Sequence, residues 1–167
     1  MTLRHSLFDK IFIGFLIIFT VCFGFIVLYA SRVSRNMLVD DRTEMLTNEA
    51  FLIADQTVAG YMQGFYTEEN LQENLQYYSD KLNASIWVAD EKGIIYGFAN
   101  AEGHPDNPKN IFLVDPDFDI HTAQSFNGSF FGTFKNDVIS VAIPIHFNNQ
   151  PSGMLLIHST AEQLQNI

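Results

Sequence analysis

Beyond Arg42 this chain has no arginine at all, and from Thr43 to Ile167 its only lysines are Lys81, Lys92, Lys109 and Lys135. Cysteine is scarcer still. The single one, Cys22, lies inside an apolar run, so no disulfide can form within the chain, and it reads as a small apolar filler. Residues 33–167 carry six Lys and Arg against eighteen Asp and Glu, a balance of −12. That balance excludes nucleic acid as a partner, because such binding is built on cations set near phosphates. Catalytic motifs are missing too. There is no serine elbow, no Cys–His pair, no zinc-ligand spacing, no P-loop and no glycine-rich ATP lid. His104, followed by Pro105 and Asp106, has no nucleophile motif near it, and His158 reads as a structural residue closing a strand. No cofactor is implied.

What the chain does have is one long charge-free segment. Ile11 to Ser31 reads IFIGFLIIFTVCFGFIVLYAS, 21 residues without an ionisable acid or base in the Asp, Glu, Lys, Arg set. As a helix it would be about 32 Å long, against a bilayer hydrocarbon thickness of about 30 Å. A cleaved signal peptide has an apolar core of only about 7–15 residues, and no small-x-small cleavage pattern stands near the end, where Leu28 precedes Ala30. The segment reads as an uncleaved anchor. Arg4 and Lys10 flank one side, Arg32 and Arg35 the other, so the positive-inside count is tied. Thr20 and Gly24 have the small-xxx-small spacing that lets two helices approach closely.

Past the anchor, Val33 to about Tyr66 is free of proline and apolar at helical spacing. Leu38, Met45, Leu52 and Ala59 form one stripe, with Leu46, Ala50, Ile53 and Tyr61 beside it. The pattern predicts a long helix packed on its own domain and partly on a second copy. Thr67 is the expected N-cap of a further helix, with Glu68 and Glu69 in its first turn, a core row of Leu71, Leu75, Tyr78 and Leu82, and a stop at Asn83. Strand character follows. Ser85–Asp90 and Ile94–Phe98 are β-branched and aromatic, joined by Glu91-Lys92-Gly93 as a tight hairpin. Asn100 to Asn110 is a loop rich in Gly, Pro and Asn. After an acidic stretch come three more strand candidates, Ser129–Phe134, Val138–His146 and Gly153–His158, the last two joined by Phe147–Gly153. Pro144 places the middle one at an edge or at a bulge. Five antiparallel strands with helices before them make an α+β domain.

At this point the residues match a known pattern. The order is apolar helix, long helix, short helix, then ASIWVADEKGIIYGFAN at 84–100 and ISVAIPIHFNNQPSGMLLIHST at 139–160. It resembles the extracytoplasmic Cache/PAS-like sensor region of bacterial two-component sensor histidine kinases. In that family a hairpin of the form x-I-x-V-x-D-x-x-G-x-I-x is followed by a strand ending V-A-x-P-I. A last strand G-x-L-L-x-H-S then leads to a helix returning to the membrane. The resemblance covers Phe8 to Leu164. It implies a cytoplasmic N-terminus (1–10), a transmembrane helix (11–31), a long membrane-proximal helix (32–66) and an extracytoplasmic PAS/Cache-like sensor domain (67–160). Residues 161–167 would then start the return helix toward a second membrane span. The implied partners are membrane lipid, a second copy in a parallel homodimer, and a response regulator reached only through a kinase part outside this sequence. None of the five histidines is followed by Glu, as the phospho-acceptor box of that family requires. A chemoreceptor, a diguanylate cyclase or a stand-alone membrane-tethered binding protein would carry the same input domain.

The resemblance also implies where a ligand would bind, between the sheet and its connecting loops. The candidate lining residues are Trp87, Tyr96, Phe98, Phe126, Phe130 and Phe131. Alternation places Ile86, Val88 and Ile95 in one set and Trp87, Tyr96 and Phe98 in another, with either set able to face inward. Carboxylate ligands in such domains are held by a cation or by a bank of backbone donors, and arginine has the best geometry for it. Its absence here points to a small neutral or cationic ligand, or none. A second candidate is acidic. Asp115, Asp117, Asp119 and His121 alternate, so in an extended strand they would share one side about 7 Å apart and present oxygen ligands to a divalent cation. The stretch lacks the Gly and terminal Glu of a calcium loop, and a solvated acidic loop is the plainer reading.

Overall fold

The computed structural model describes residues 7–101, 118–148 and 150–160. Met1–Leu38 and Val39–Ile167 form two compact units. The first holds the beginning of α1 (Leu7–Ile53). Its large apolar side chains lie open, Phe15 at 68% and Leu28 at 70% exposure. By length and composition α1 can cross a membrane, with a mean hydropathy of 3.0 over its most apolar window and none of that window buried. Thr20 Oγ1 donates to Leu16 O at 2.8 Å, which satisfies the hydroxyl inside the helix as apolar surroundings require. Phe15, Phe19 and Phe23 stack at i, i+4 with centroids 6.4 Å apart.

In the second unit α1 runs on to Ile53, and a π-helical turn, Ala54–Val58, leads into α2 (Ala59–Met62). The expected end near Tyr66 comes earlier. Gly64 takes φ +78, and the N–H groups of Gly64 and Phe65 bond back to Tyr61 O and Gly60 O. Of the two predicted stripes, the one through Leu46, Ala50 and Ile53 is the core stripe. Leu38 and Leu52 stay 46% and 40% exposed. Both stripes repeat every seven residues, but they lie about 100° apart around the helix, and the Leu46 side is the one that meets the rest of the core. Ala59 is buried nonetheless, beyond the π turn.

α3 (Glu68–Leu82) begins and ends where the sequence predicts. Thr67 Oγ1 accepts from Asn70 N and Asn70 Oδ1 accepts from Thr67 N, each at 3.2 Å, a reciprocal cap. Asn83 closes the helix in the left-handed conformation, φ 48. Leu71, Leu75 and Leu82 are buried and Tyr78 packs partly against them.

Five strands follow: β1 (Ser85–Asp90), β2 (Ile95–Ala99), β3 (Gln124–Gly128), β4 (Val138–Phe147) and β5 (Gln150–Thr160). They form one antiparallel sheet in the order β2-β1-β5-β4-β3, so β5 is central. The fold is α+β. The β1–β2 turn is the expected tight hairpin: Asp90 Oδ1 accepts from Lys92 N and Ile94 N, and Gly93 takes φ +73. The anticipated strand Ser129–Phe134 is a loop instead, and β3 lies just before it. Phe130, Phe131 and Gly132 all have positive φ, and Phe134 N bonds Ser129 O, which folds the rings back over the sheet. The connection predicted over Phe147–Gly153 is shorter too, because pairing continues to Phe147↔Gln150. Pro144 sits past the last β3–β4 pair, Ala142↔Gln124, and just before a register irregularity at Ile145/His146, the two settings a strand proline tolerates.

One face of the sheet packs on the helices through Ile86, Val88, Ile139, Val141, Ile143, Leu155 and Ile157. There β-branched and leucine side chains need nothing but apolar contact.

Gly153 on β5 faces Asp90 of β1, and a Cβ there would strike the Ala89 carbonyl oxygen. Gly153→Ala is expected to destabilise the fold by about 2 kcal/mol or more, against about 0.5 kcal/mol or less for the neighbouring Ser152→Ala. Thermal melts of the two variants beside the parent protein check this.

Candidate functional site

The opposite face of the sheet has different chemistry. Residues paired directly across antiparallel strands share a face, so Ser85 on β1, His158 on β5, Ser140 on β4 and Phe126 on β3 form one row across the sheet. The adjoining row holds Trp87, Leu156 and Ala142, with Phe98 opposite Trp87 at the β2 edge. His158 is completely buried. Its Nδ1 and Ser140 Oγ are hydrogen-bonded at 2.8 Å. Three rings surround it, with centroids at 4.2 Å (Trp87), 4.5 Å (Phe130) and 4.9 Å (Phe134). Trp87 Nε1 donates to Asn100 Oδ1 at 3.0 Å, and Ala101 N donates to Ser85 Oγ at 3.1 Å.

The loop after β3 supplies much of the aromatic material. Phe130 and Phe134 are buried, Phe134 lying nearly parallel to Trp87 at 5.6 Å and 14°. Phe118, Phe126, Phe130 and Phe131 continue the cluster with centroid distances of 4.9–6.4 Å. Two consecutive non-glycine residues in the left-handed region cost about 1–2 kcal/mol each. Ring burial against the sheet offsets that cost.

Of the six predicted lining residues, Trp87, Phe126, Phe130 and Phe131 come together here, and Phe98 stands 37% exposed at the rim. Tyr96 does not join them. A register irregularity at Val88/Ala89 sends Ile95 to the Trp87 side and turns Tyr96 to the helix side, where it stacks on Tyr61 at 6.2 Å. Simple alternation, which sets Ile95 with Ile86 and Tyr96 with Trp87, fails at that bulge. Sequence reasoning missed Ser85, Asn100, Phe134, Ser140 and His158. A signal was present: in ISVAI and GMLLIHST the hydroxyl and the imidazole both fall in the phase opposite the Ile, Val and Leu that pack on the helices.

Of the acidic candidates, Asp115 and Asp117 lie outside the described residues. Asp119 and His121 do not form an extended strand. Asp119 Oδ1 accepts from His121 N at 2.9 Å and Oδ2 from Thr122 Oγ1 at 2.8 Å, which curls the chain into a turn. Those two bonds hold the exposed Asp119 carboxyl below its ordinary range. Among the described residues no group of three His, Cys, Asp or Glu side chains is placed to hold a metal ion. A separate open groove of about 590 Å³ runs along α1, lined by Asp41, Glu44, Met45, Asn48, Glu49 and Leu52.

No family model matches the sequence, and no curated protein matches it significantly. Solved structures do. The V. cholerae histidine kinase DctB sensor domain is 13% identical with a TM-score of 0.58, over 86% of this chain and 60% of that one. The E. coli DcuS sensor domain is 15% identical with a TM-score of 0.56, over 78% of this chain and 96% of that one. The ligand-binding domain of the Pseudomonas fluorescens chemoreceptor CtaA, in complex with L-serine, is 16% identical with a TM-score of 0.51, over 78% and 58%. At these identities the likeness is one of fold, and this chain spans about three fifths of the DctB and CtaA domains.

Burial, with Tyr61 and Asp90 adding to it, pushes the Tyr96 hydroxyl up to about 12. A phenol whose folded pKa exceeds its unfolded value near 10 stabilises the fold below about pH 10, and that contribution is lost as pH rises through 12. Alkaline difference spectra of the folded protein should therefore contain a late Tyr96 component, absent in Tyr96→Phe and shifted to about 10 on unfolding.

Proposed function

We propose that this chain, which has the α+β fold of Cache-like sensor domains, is the signal-input module of a membrane two-component sensor histidine kinase. Its aromatic sheet face takes a small neutral or cationic molecule. The observation that carries the reading is the unlike chemistry of the two faces of one sheet. The helix face is aliphatic and complete as a core. The other face places an imidazole, two serine hydroxyls and a carboxamide among aromatic rings. A few convergent polar groups in an apolar setting are what a small-molecule site requires. Among the described residues no Lys or Arg side chain is buried on that face, which disfavours a carboxylate. The kinase sensor domains DctB and DcuS, and CtaA with its L-serine, support a sensory role and a small ligand through their shared fold. CtaA gives weight to a chemoreceptor output as the second reading.

In this proposal the N-terminus is cytoplasmic and the sensor domain extracytoplasmic, with α1 crossing the membrane between them. Ligand binding displaces α1 relative to the following membrane segment and biases a two-state output. Two copies associate in parallel along α1, where Leu38 and Leu52 stay exposed.

A thermal-shift screen of the full chain in detergent tests the ligand, with neutral and cationic metabolites in one arm, carboxylates in a second, and Mg²⁺ and Ca²⁺ in a third. A ligand at a hundred times its Kd stabilises by about 2.7 kcal/mol, a rise of several degrees. The rise is expected in the first arm and is expected to shrink in Ser140→Ala and Phe131→Ala. A rise confined to carboxylates, or one indifferent to both substitutions, overturns the assignment of the face.

Orientation has its own test. With Cys22→Ala as background, a cysteine placed by Glu91→Cys in the exposed β1–β2 hairpin should react with a membrane-impermeant maleimide on intact cells. Labelling only after lysis would reverse the topology.

A further inference from the structure

Arg42 is the last arginine of the chain, and through a single atom it joins α1 to two distant elements. Its Nη2 donates to Leu82 O at 2.7 Å and to Ser159 Oγ at 2.9 Å, across 40 and 117 residues of sequence. Leu82 is the last residue of α3, whose terminal carbonyls form the negative end of the helix dipole, so a cation is well placed there. Burial lowers the Arg42 pKa, yet a guanidinium keeps its charge in proteins. The two N–H bonds of Nη2 lie in the guanidinium plane, so both acceptors must hold their places for both bonds to survive.

Ser159 is also the neighbour of His158. Alternation along β5 turns Ser159 toward the helices and His158 into the ring box of the aromatic face. The strand is central, paired with β1 through Ser85↔His158 and with β4 through Ser140↔His158 and Ile139↔Ser159. A displacement of β5 at His158 therefore reaches the neighbouring residue that carries the Arg42 acceptor.

We propose that Arg42 is the coupling residue between the aromatic face and α1. It holds α1 to the end of α3 and to β5 in the state seen here, and a displaced β5 releases the Ser159 bond while the Leu82 bond remains. The idea rests on the reading of the aromatic face as the ligand site and adds the route by which occupancy is felt by the helix carrying the membrane segment. Two discrete arrangements of one side chain are the kind of element a signal can bias.

The test is a double-mutant cycle on the full chain in lipid nanodiscs, read by amide hydrogen exchange. Phe134→Leu disturbs the rings around His158 without a ligand, and Phe134→Ala does so more strongly. Each is combined with Arg42→Gln and with Arg42→Lys, a single-point cation without the planar fork. Phe134→Leu is expected to change exchange of α1 amides 39–46 by about threefold or more, and that change is expected to vanish in both Arg42 backgrounds. Arg42→Lys should keep a melting temperature nearer the parent than Arg42→Gln does, because a charge still faces the Leu82 carbonyl. A residue that only braces the fold would leave the Phe134 effect on α1 the same with and without it, and that outcome overturns the proposal. Because the perturbation is a side chain and not a ligand, a failed ligand screen condemns the reading of the face, whereas a failed cycle condemns Arg42 alone.

Discussion

A central β-strand must show two faces at once, and β5 is where this protein meets that constraint. Leu155 and Ile157 go to the helices, while Met154, Leu156 and His158 go to the other side. Because β5 pairs with β1 over Gly153–His158 and with β4 from Gln150 to Thr160, its register sets theirs, and one slipped residue would exchange an aliphatic surface for one carrying imidazole and hydroxyls. The close approach of Gly153 to Ala89, the helix packing and the aromatic cluster all depend on that phase.

Much of the fold was legible because its signals are local. Thr67 and Asn83 bracket α3 through cap chemistry that involves only neighbours, and β1 is written in six residues bounded by a turn. The errors arise where distant contacts decide. Ser129–Phe134 has strand composition, but its rings are worth more folded over Trp87 and His158 than extended along an edge, and the backbone accepts left-handed dihedrals to place them there. On α1 the heptad-spaced Leu38 and Leu52 look as apolar as Leu46 and Ile53, and only the partner surface tells them apart.

The candidate site was legible in part for the same reason. Aromatic residues advertise burial, so Trp87, Phe126 and Phe130 stand out in the sequence, but burial alone does not say on which side. Tyr96 was misplaced by a bulge that has no signature in a five-residue strand. Ser140 and His158 look unremarkable singly. They acquire meaning only when β4 and β5 are paired, which brings residues 18 apart to 2.8 Å. Arg42 likewise reads as one charge on a helical run until the fold delivers Leu82 and Ser159 to it.

Trp87 is the sole tryptophan in the chain, 1% exposed, with its indole N–H held by Asn100 and its ring against the imidazole of His158. The molecule's only indole fluorophore thus stands at the centre of the aromatic face. Indole fluorescence from this protein reports on that one neighbourhood, with no second indole to dilute it.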